Sequence, residues 1–350
     1  MAKAKKKLLP KNFDELLKQG DDDAIKAVFE TCDVDARGGY SKQTALAFAE
    51  LSDDLVRWLV ERGASISATD NYGETPLHAR AGSWHGRIGI LLDLGADVNA
   101  GEGARGTPLH KAADHGSAGN VRLLLQRGAK ADALDEDGLT PLEYALQRCS
   151  NVGIKDMVAV AEALLDGGAR KTPRVKEFVT RIGTNFEFHR ARFDRESVDA
   201  VSAALERLYV LFDVPPVPRR AMHDGKSPII AKSATPEKRH QELWELLVPS
   251  GGAAATVQGE VIRISGRIDN ELGGNGGINW DADYKQMADA LLAHLGSGKP
   301  LPDPELKEAA TIVSEVKRKY GDTRRLNQLA VEWVALNQKP VMLPAPAYRR

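Results

Sequence analysis

The sequence predicts an all-α fold, a repeat solenoid followed by a helical C-terminal domain, on three observations. A Thr-Pro-Leu-His tetrapeptide returns at near-constant spacing through the first half. A Gly-Ala pair keeps time with it, each copy closing a leucine-rich stretch. The second half places apolar residues at helical spacing and shows no strand-like alternation.

Thr75-Pro76-Leu77-His78 recurs as Thr107-Pro108-Leu109-His110 and, with one change, as Thr140-Pro141-Leu142-Glu143. A degraded copy reads Thr44-Ala45-Leu46-Ala47, and the successive spacings are 31, 32 and 33 residues. The Gly-Ala pairs stand at Gly63, Gly95, Gly128 and Gly168. Threonine is a good N-cap, and proline fits the first helical turn, where its missing N–H costs nothing. Leucine and small alanines then permit close packing, and the later glycine supplies the left-handed residue that ends the second helix. Polar segments such as Asp70-Asn71-Tyr72-Gly73 and Asp135-Glu136-Asp137-Gly138 turn the chain into the next unit. One such helix pair cannot bury its apolar face alone, whereas a stack can.

The run Gly106-Thr107-Pro108-Leu109-His110-Lys111-Ala112-Ala113 through Leu125-Gln126-Arg127-Gly128-Ala129 resembles the ankyrin repeat family. A half-matched first unit is readable in Phe13–Leu17 and Ala24–Phe29, giving about five units over residues 11–172. Two departures stand out. Arg80 occupies a position where small alanine is usual, and the last unit is stretched around Ser150–Lys155, as in a modified repeat that caps a stack. The resemblance implies that partners meet the turn tips and the exposed face of each first helix. Carried onto this chain, that selects Tyr40, Tyr72, Glu74, Ala104, Arg105, Glu136 and Asp137 at the tips, and Trp84, Asp114, His115 and Arg148 on first helices. Tyrosine, tryptophan and arginine dominate interface energetics, which favours Tyr40, Tyr72, Trp84, Arg105 and Arg148. His78 and His110 recur at one repeat position and are expected to bond the neighbouring turn, a structural role.

Composition narrows the function. The chain of 350 residues is 42% hydrophobic and 28% charged with net charge −1, a soluble composition with no global basic field for nucleic acid. Residues 1–172 hold 22 basic and 26 acidic residues, so an acidic repeat face would steer a basic partner. The two cysteines, Cys32 and Cys149, form no disulfide framework or zinc spacing and read as reduced thiols of a cytoplasmic protein. No apolar run spans a membrane, and Lys3, Lys5, Lys6 and Lys7 read as a frayed, solvated tail.

Beyond Thr172 the repeats stop. Residues 173–213 read as a helical extension, with an interruption at Gly183-Thr184-Asn185; residues 214–236, rich in proline, as a linker or extended arm; residues 237–340 as a helical domain. There, Gln258–Arg263 followed by Asn275–Asp281 resembles a motif of small bacterial proteins of unknown activity. Gly259 and Gly266 would let another helix approach, Glu260 and Arg263 form a helical ion pair, Gly273–Gly277 is a flexible turn, and Asp281 or Asn279 caps the next helix.

These readings lead to a non-enzymatic protein that binds another protein, without cofactor or metal; its sharper form is a bacterial immunity or antitoxin-type protein that occludes a toxin. The alternative is an enzyme or effector whose C-terminal domain is catalytic around Glu260, Arg263 and Asp281. A weaker reading places nucleic acid on Arg190, Arg192, Arg195, Arg219 and Arg220.

Overall fold

A computed structural model describes residues 4–83, 86–101 and 105–349, apart from the Arg195 side chain. It divides into two compact units, Met1–Phe186 with Asp194–Val217, and Glu187–Phe193 with Pro218–Arg350.

The first unit opens with strand β1 (Lys6–Leu8), helices α1 (Phe13–Gln19) and α2 (Asp22–Thr31), and strands β2 (Cys32–Gly38) and β3 (Gln43–Thr44). β1 pairs parallel with β2, which pairs antiparallel with β3. Lys5, Lys6 and Lys7 are therefore not part of a frayed tail, and Lys3 lies outside the described residues. Lys6 aligns with Cys32 and Leu8 with Arg37, while Leu9 is buried. Lys5 Nζ donates to the Phe29 carbonyl at 2.9 Å. Three residues are too few for a periodic signal, and their partner strand is remote in sequence.

The stack continues through a 3-10 turn (Ala45–Ala47) and helices α3 (Asp53–Glu61), α4 (Pro76–Ala81), α5 (Gly89–Asp93), α6 (Pro108–Asp114), α7 (Ala118–Gln126), α8 (Pro141–Arg148) and α9 (Ile154–Asp166). First helices α4, α6 and α8 pack on one another, as do second helices α7 and α9. Gly63, Gly95, Gly128 and Gly168 all take φ near +90°, ending the second helices as their position requires. Arg80 lies fully buried, its Nε donating to the Leu46 carbonyl at 2.8 Å and Nη1 to the Arg87 carbonyl at 3.3 Å. The degraded repeat stops after one 3-10 turn, so the Leu46 carbonyl lacks the amide that a longer helix would supply. Arginine in place of alanine fills that gap.

Helices α10 (Pro173–His189) and α11 (Arg195–Phe212) follow, with a 3-10 turn (Arg190–Arg192) between them. α10 runs straight through the interruption expected at Gly183. The glycine is there for clearance, since a Cβ would stand 1.9 Å from the Tyr209 hydroxyl of α11.

In the second unit, residues 218–235 form an arm without regular structure that is nonetheless anchored: Ile229 is buried and its N–H donates to the Gln338 carbonyl at 2.8 Å. Helices α12 (Pro236–Leu247), α13 (Val257–Asp269), α14 (Ala282–Leu295), α15 (Asp303–Val316) and α16 (Thr323–Leu336) surround a core built on α13, which buries ten of its residues, among them Val261, Ile264 and Ile268. At Gly259 and Gly266 a Cβ would meet Leu247 and Trp244 of α12 at 3.2 Å or less, so both glycines do admit a helix. The Gly273–Gly277 turn is tied down rather than free. Buried Glu271 accepts the Asn279 N–H at 2.6 Å and the Asn275 side-chain amide at 3.0 Å.

Candidate functional site

Each first helix starts from the same box. Pro76 opens α4 and the Thr75 N–H donates to His78 Nδ1 at 3.1 Å. With Nδ1 accepting, the neutral ring carries its proton on Nε2, which donates to the Gly106 carbonyl at the start of the next repeat, 3.1 Å away. His110 repeats this with the Thr107 N–H and the Leu139 carbonyl, at 3.0 and 3.1 Å. Burial lowers the pKa of both rings, which are neutral struts between repeats, the structural role their recurrence implies. In the third box Glu143 Oε2 accepts the Thr140 N–H at 3.0 Å, and Oε1 accepts the Thr172 hydroxyl at 2.5 Å. The neighbour here is a donor, so an acceptor replaces the histidine.

These boxes hold the turn tips in a common geometry. Asp70 Oδ1 accepts the Tyr72 and Glu74 N–H groups at 2.8 and 3.0 Å; Asp135 Oδ1 accepts those of Asp137 and Leu139 at 3.0 and 2.8 Å. The Asn71 N–H donates to the Ser41 carbonyl at 2.9 Å, joining the first two tips.

Three of the expected contact residues come together there. Tyr40 is 91% exposed, and its side chain beside Tyr72 is the main cause that holds the Tyr72 phenol above its ordinary pKa. The Arg105 guanidinium lies 5.3 Å from the centre of the Tyr72 ring. Tyr72 thus has an arginine over its ring and a second tyrosine as neighbour. Glu74 forms an ion pair with Lys111, and Asp114 with Arg148 at 3.2 Å, while Arg148 lies over Tyr144 at 5.0 Å. Both carboxylates are mostly covered, which makes them internal struts as much as contact groups. His115 Nδ1 sits 3.2 Å from the Lys111 carbonyl, and Glu136 and Asp137 stand exposed at the tip before α8. Trp84 and Ala104 lie outside the described residues. Lys111 and Tyr144 were not singled out in the sequence, although both occupy the position directly after the box, the one that varies between first helices.

In the second unit Glu260 and Arg263 are buried, and Glu260 is saturated. Its Oε2 accepts the Ala254 N–H and Arg263 Nε at 2.9 and 2.8 Å; its Oε1 accepts Arg263 Nη2 and the Tyr348 hydroxyl, both at 2.6 Å. Burial alone would raise its pKa; the hydrogen bonds from Arg263, Tyr348 and Ala254 outweigh it and leave the value lowered. Asp281 caps α14, accepting the Tyr284 N–H at 3.1 Å.

Two of the arginines proposed for nucleic acid are spent internally. Arg190 pairs with Glu187 at 2.6 Å, and Arg220 lies over Phe188 while donating to the Trp244, Glu245 and Val248 carbonyls. Burial raises the Cys149 thiol to about 12, so it is not a thiolate nucleophile. Among the described residues no helix is long and apolar enough to cross a membrane.

Residues 46–94 and 91–145 match family models described as ankyrin repeats (many copies). The mouse Ankyrin repeat and SOCS box protein 16 is 33% identical over 134 residues, 36% of this chain and 30% of that protein. Alpha-latrotoxin-Lg1a of Latrodectus geometricus is 39% identical over 94 residues, 26% of this chain and 7% of the toxin. The Drosophila melanogaster E3 ubiquitin-protein ligase Ufd4 is 35% identical over 113 residues, 32% of this chain and 4% of that protein. The chain spans about a third or less of these relatives.

Proposed function

Because residues 46–145 are ankyrin repeats, we propose that this chain works by holding a partner protein against its turn tips and first helices, with no chemistry of its own. The observation that carries the reading is the cluster of Tyr40, Tyr72 and Arg105, which gathers exposed aromatic surface and a guanidinium at the turn tips. Exposed Glu136 and Asp137, and the excess of acidic over basic residues in 1–172, favour a basic partner. The finer form is an immunity or antitoxin-type protein that occludes its partner's working surface. Stoichiometric, inhibitory capture is its signature.

The rival reading puts catalysis in the C-terminal unit. Its support is thin, since Glu260 has no lone pair left for a substrate proton and Asp281 is committed to a helix cap. An affinity capture from source lysate with the full chain, against a Tyr40→Ala, Tyr72→Ala, Arg105→Ala variant, separates the two. A stoichiometric partner lost only with the variant supports the repeat face. A partner retained by the variant moves the function to the C-terminal unit.

A further inference from the structure

The helical unit after the repeats contains a cleft of about 470 Å³, bounded by α12, α13 and the Pro249–Gly252 loop. That volume lies within the range of about 300–1,000 Å³ typical of small-molecule sites. The absent side chain of Gly266 brings Trp244 onto α13, and Trp244 stands nearly parallel to Phe188, at 13° and 6.4 Å between ring centres. Both aromatic side chains line the cleft.

Its polar side is incomplete. Arg263 lines the cleft while only 1% exposed. Nε and Nη2 are given to Glu260, and Nη1 has no acceptor among the described residues. A buried guanidinium N–H without an acceptor is costly unless something else occupies it. Asn327, also on the wall, gives its amide to Asp269 at 3.1 Å and leaves its buried Oδ1 without a donor. Arg267, on the same face of α13, makes no ion pair among the described residues. Two residues that line one cleft beside an aromatic wall thus carry an orphan donor and an orphan acceptor.

We propose that this cleft binds a small organic monoanion, a carboxylate on an aromatic or apolar body that also carries an N–H or O–H. The carboxylate takes Arg263 Nη1 and Arg267, the ligand's own donor takes Asn327 Oδ1, and the body lies on Trp244. Charge selects a monoanion. Arg263 and Arg267 face Asp269 within the cleft and Glu260 behind it, so a phosphate dianion would meet two carboxylates where a single negative charge meets a near balance.

The test uses the full chain and ligand-observed NMR with a library of aromatic and aliphatic carboxylates, their primary amides and inorganic phosphate. Saturable binding by hydroxyl- or amino-bearing aromatic carboxylates is expected, with the matching amides and phosphate weaker by about tenfold or more. Arg267→Gln and Asn327→Leu should each weaken the best carboxylate by about three- to tenfold, with the unfolding midpoint checked alongside. These variants spare the Glu260 pair, so they carry the test even where Arg263→Lys fails to fold. No saturable carboxylate, amides binding as well as acids, phosphate binding better than carboxylates, or unaltered affinity in both variants would each overturn the proposal.

Discussion

The Tyr348 hydroxyl donates to Glu260 Oε1 at 2.6 Å, tying the end of the chain to a carboxylate buried in the central helix of the second unit. The neighbouring segment supports the same attachment. Gln258 donates to the Asn337 and Lys339 carbonyls at 2.7 and 2.8 Å and accepts the Val341 N–H at 3.1 Å. Tyr348→Phe removes one of the four donors to Glu260 with little change in shape. It should lower stability by about 1–2 kcal/mol, read by urea unfolding followed through tryptophan fluorescence. An unchanged midpoint would mean that Glu260 does not depend on this contact.

The relays between repeats predict an asymmetric pair of substitutions. His110→Glu sets a carboxylate against the Leu139 carbonyl, acceptor against acceptor, and should cost about 2–3 kcal/mol or more. Glu143→His faces the Thr172 hydroxyl, which can accept as well as donate, and should cost about 1 kcal/mol or less. Equal costs in chemical denaturation would contradict the donor–acceptor account.

The same histidines set a pH dependence. Burial lowers both folded-state pKa values, while the unfolded chain titrates near about 6.5. The unfolded state therefore binds more protons in the interval between, and stability is complete above about pH 6.5 and is lost as pH falls toward the lowered values. Urea midpoints collected between about pH 7 and 5 should show this slope, and a His78→Gln, His110→Gln variant should reduce it, leaving the share of His240, His189 and His294, whose pKa values burial also lowers. Retention of the full slope in that variant would assign it elsewhere.

At Gly183 an alanine would ordinarily favour the helix by about 1 kcal/mol. Here its Cβ would overlap the Tyr209 hydroxyl and touch Val217 at 3.0 Å, so Gly183→Ala should instead destabilise by about 1–3 kcal/mol. Adding Tyr209→Phe should recover part of the loss, because the two changes share one contact. A stabilising Gly183→Ala would show that α10 and α11 pack less closely than described.

The repeats were legible because the demands of each unit are local: a cap, a proline, a small-residue face and a left-handed glycine, written in order and then repeated. What escaped depends on distant partners. β1 is three residues whose significance lies in β2, and Gly183 reads as a break until Tyr209 is beside it. Arg80 is a plain departure from alanine until the Leu46 carbonyl shows what it satisfies. On the proposed contact face, the exposed tips could be named from their turns. The covering of Glu74 by Lys111 and of Asp114 by Arg148 could not, since each pair joins different repeats. Glu271, which organises the glycine turn, gave no signal because its partners are backbone and amide groups.

The substitution of Glu143 for histidine also constrains how such a chain can lengthen by duplication. A unit carrying His78 or His110 presents a donor to whatever carbonyl follows, so a copied unit inserted beside it meets a compatible neighbour. The unit carrying Glu143 presents an acceptor and is matched only to the hydroxyl of Thr172. Copies can accumulate before it but not after it, so descendants of this sequence would vary in the number of their middle units while keeping the same last one.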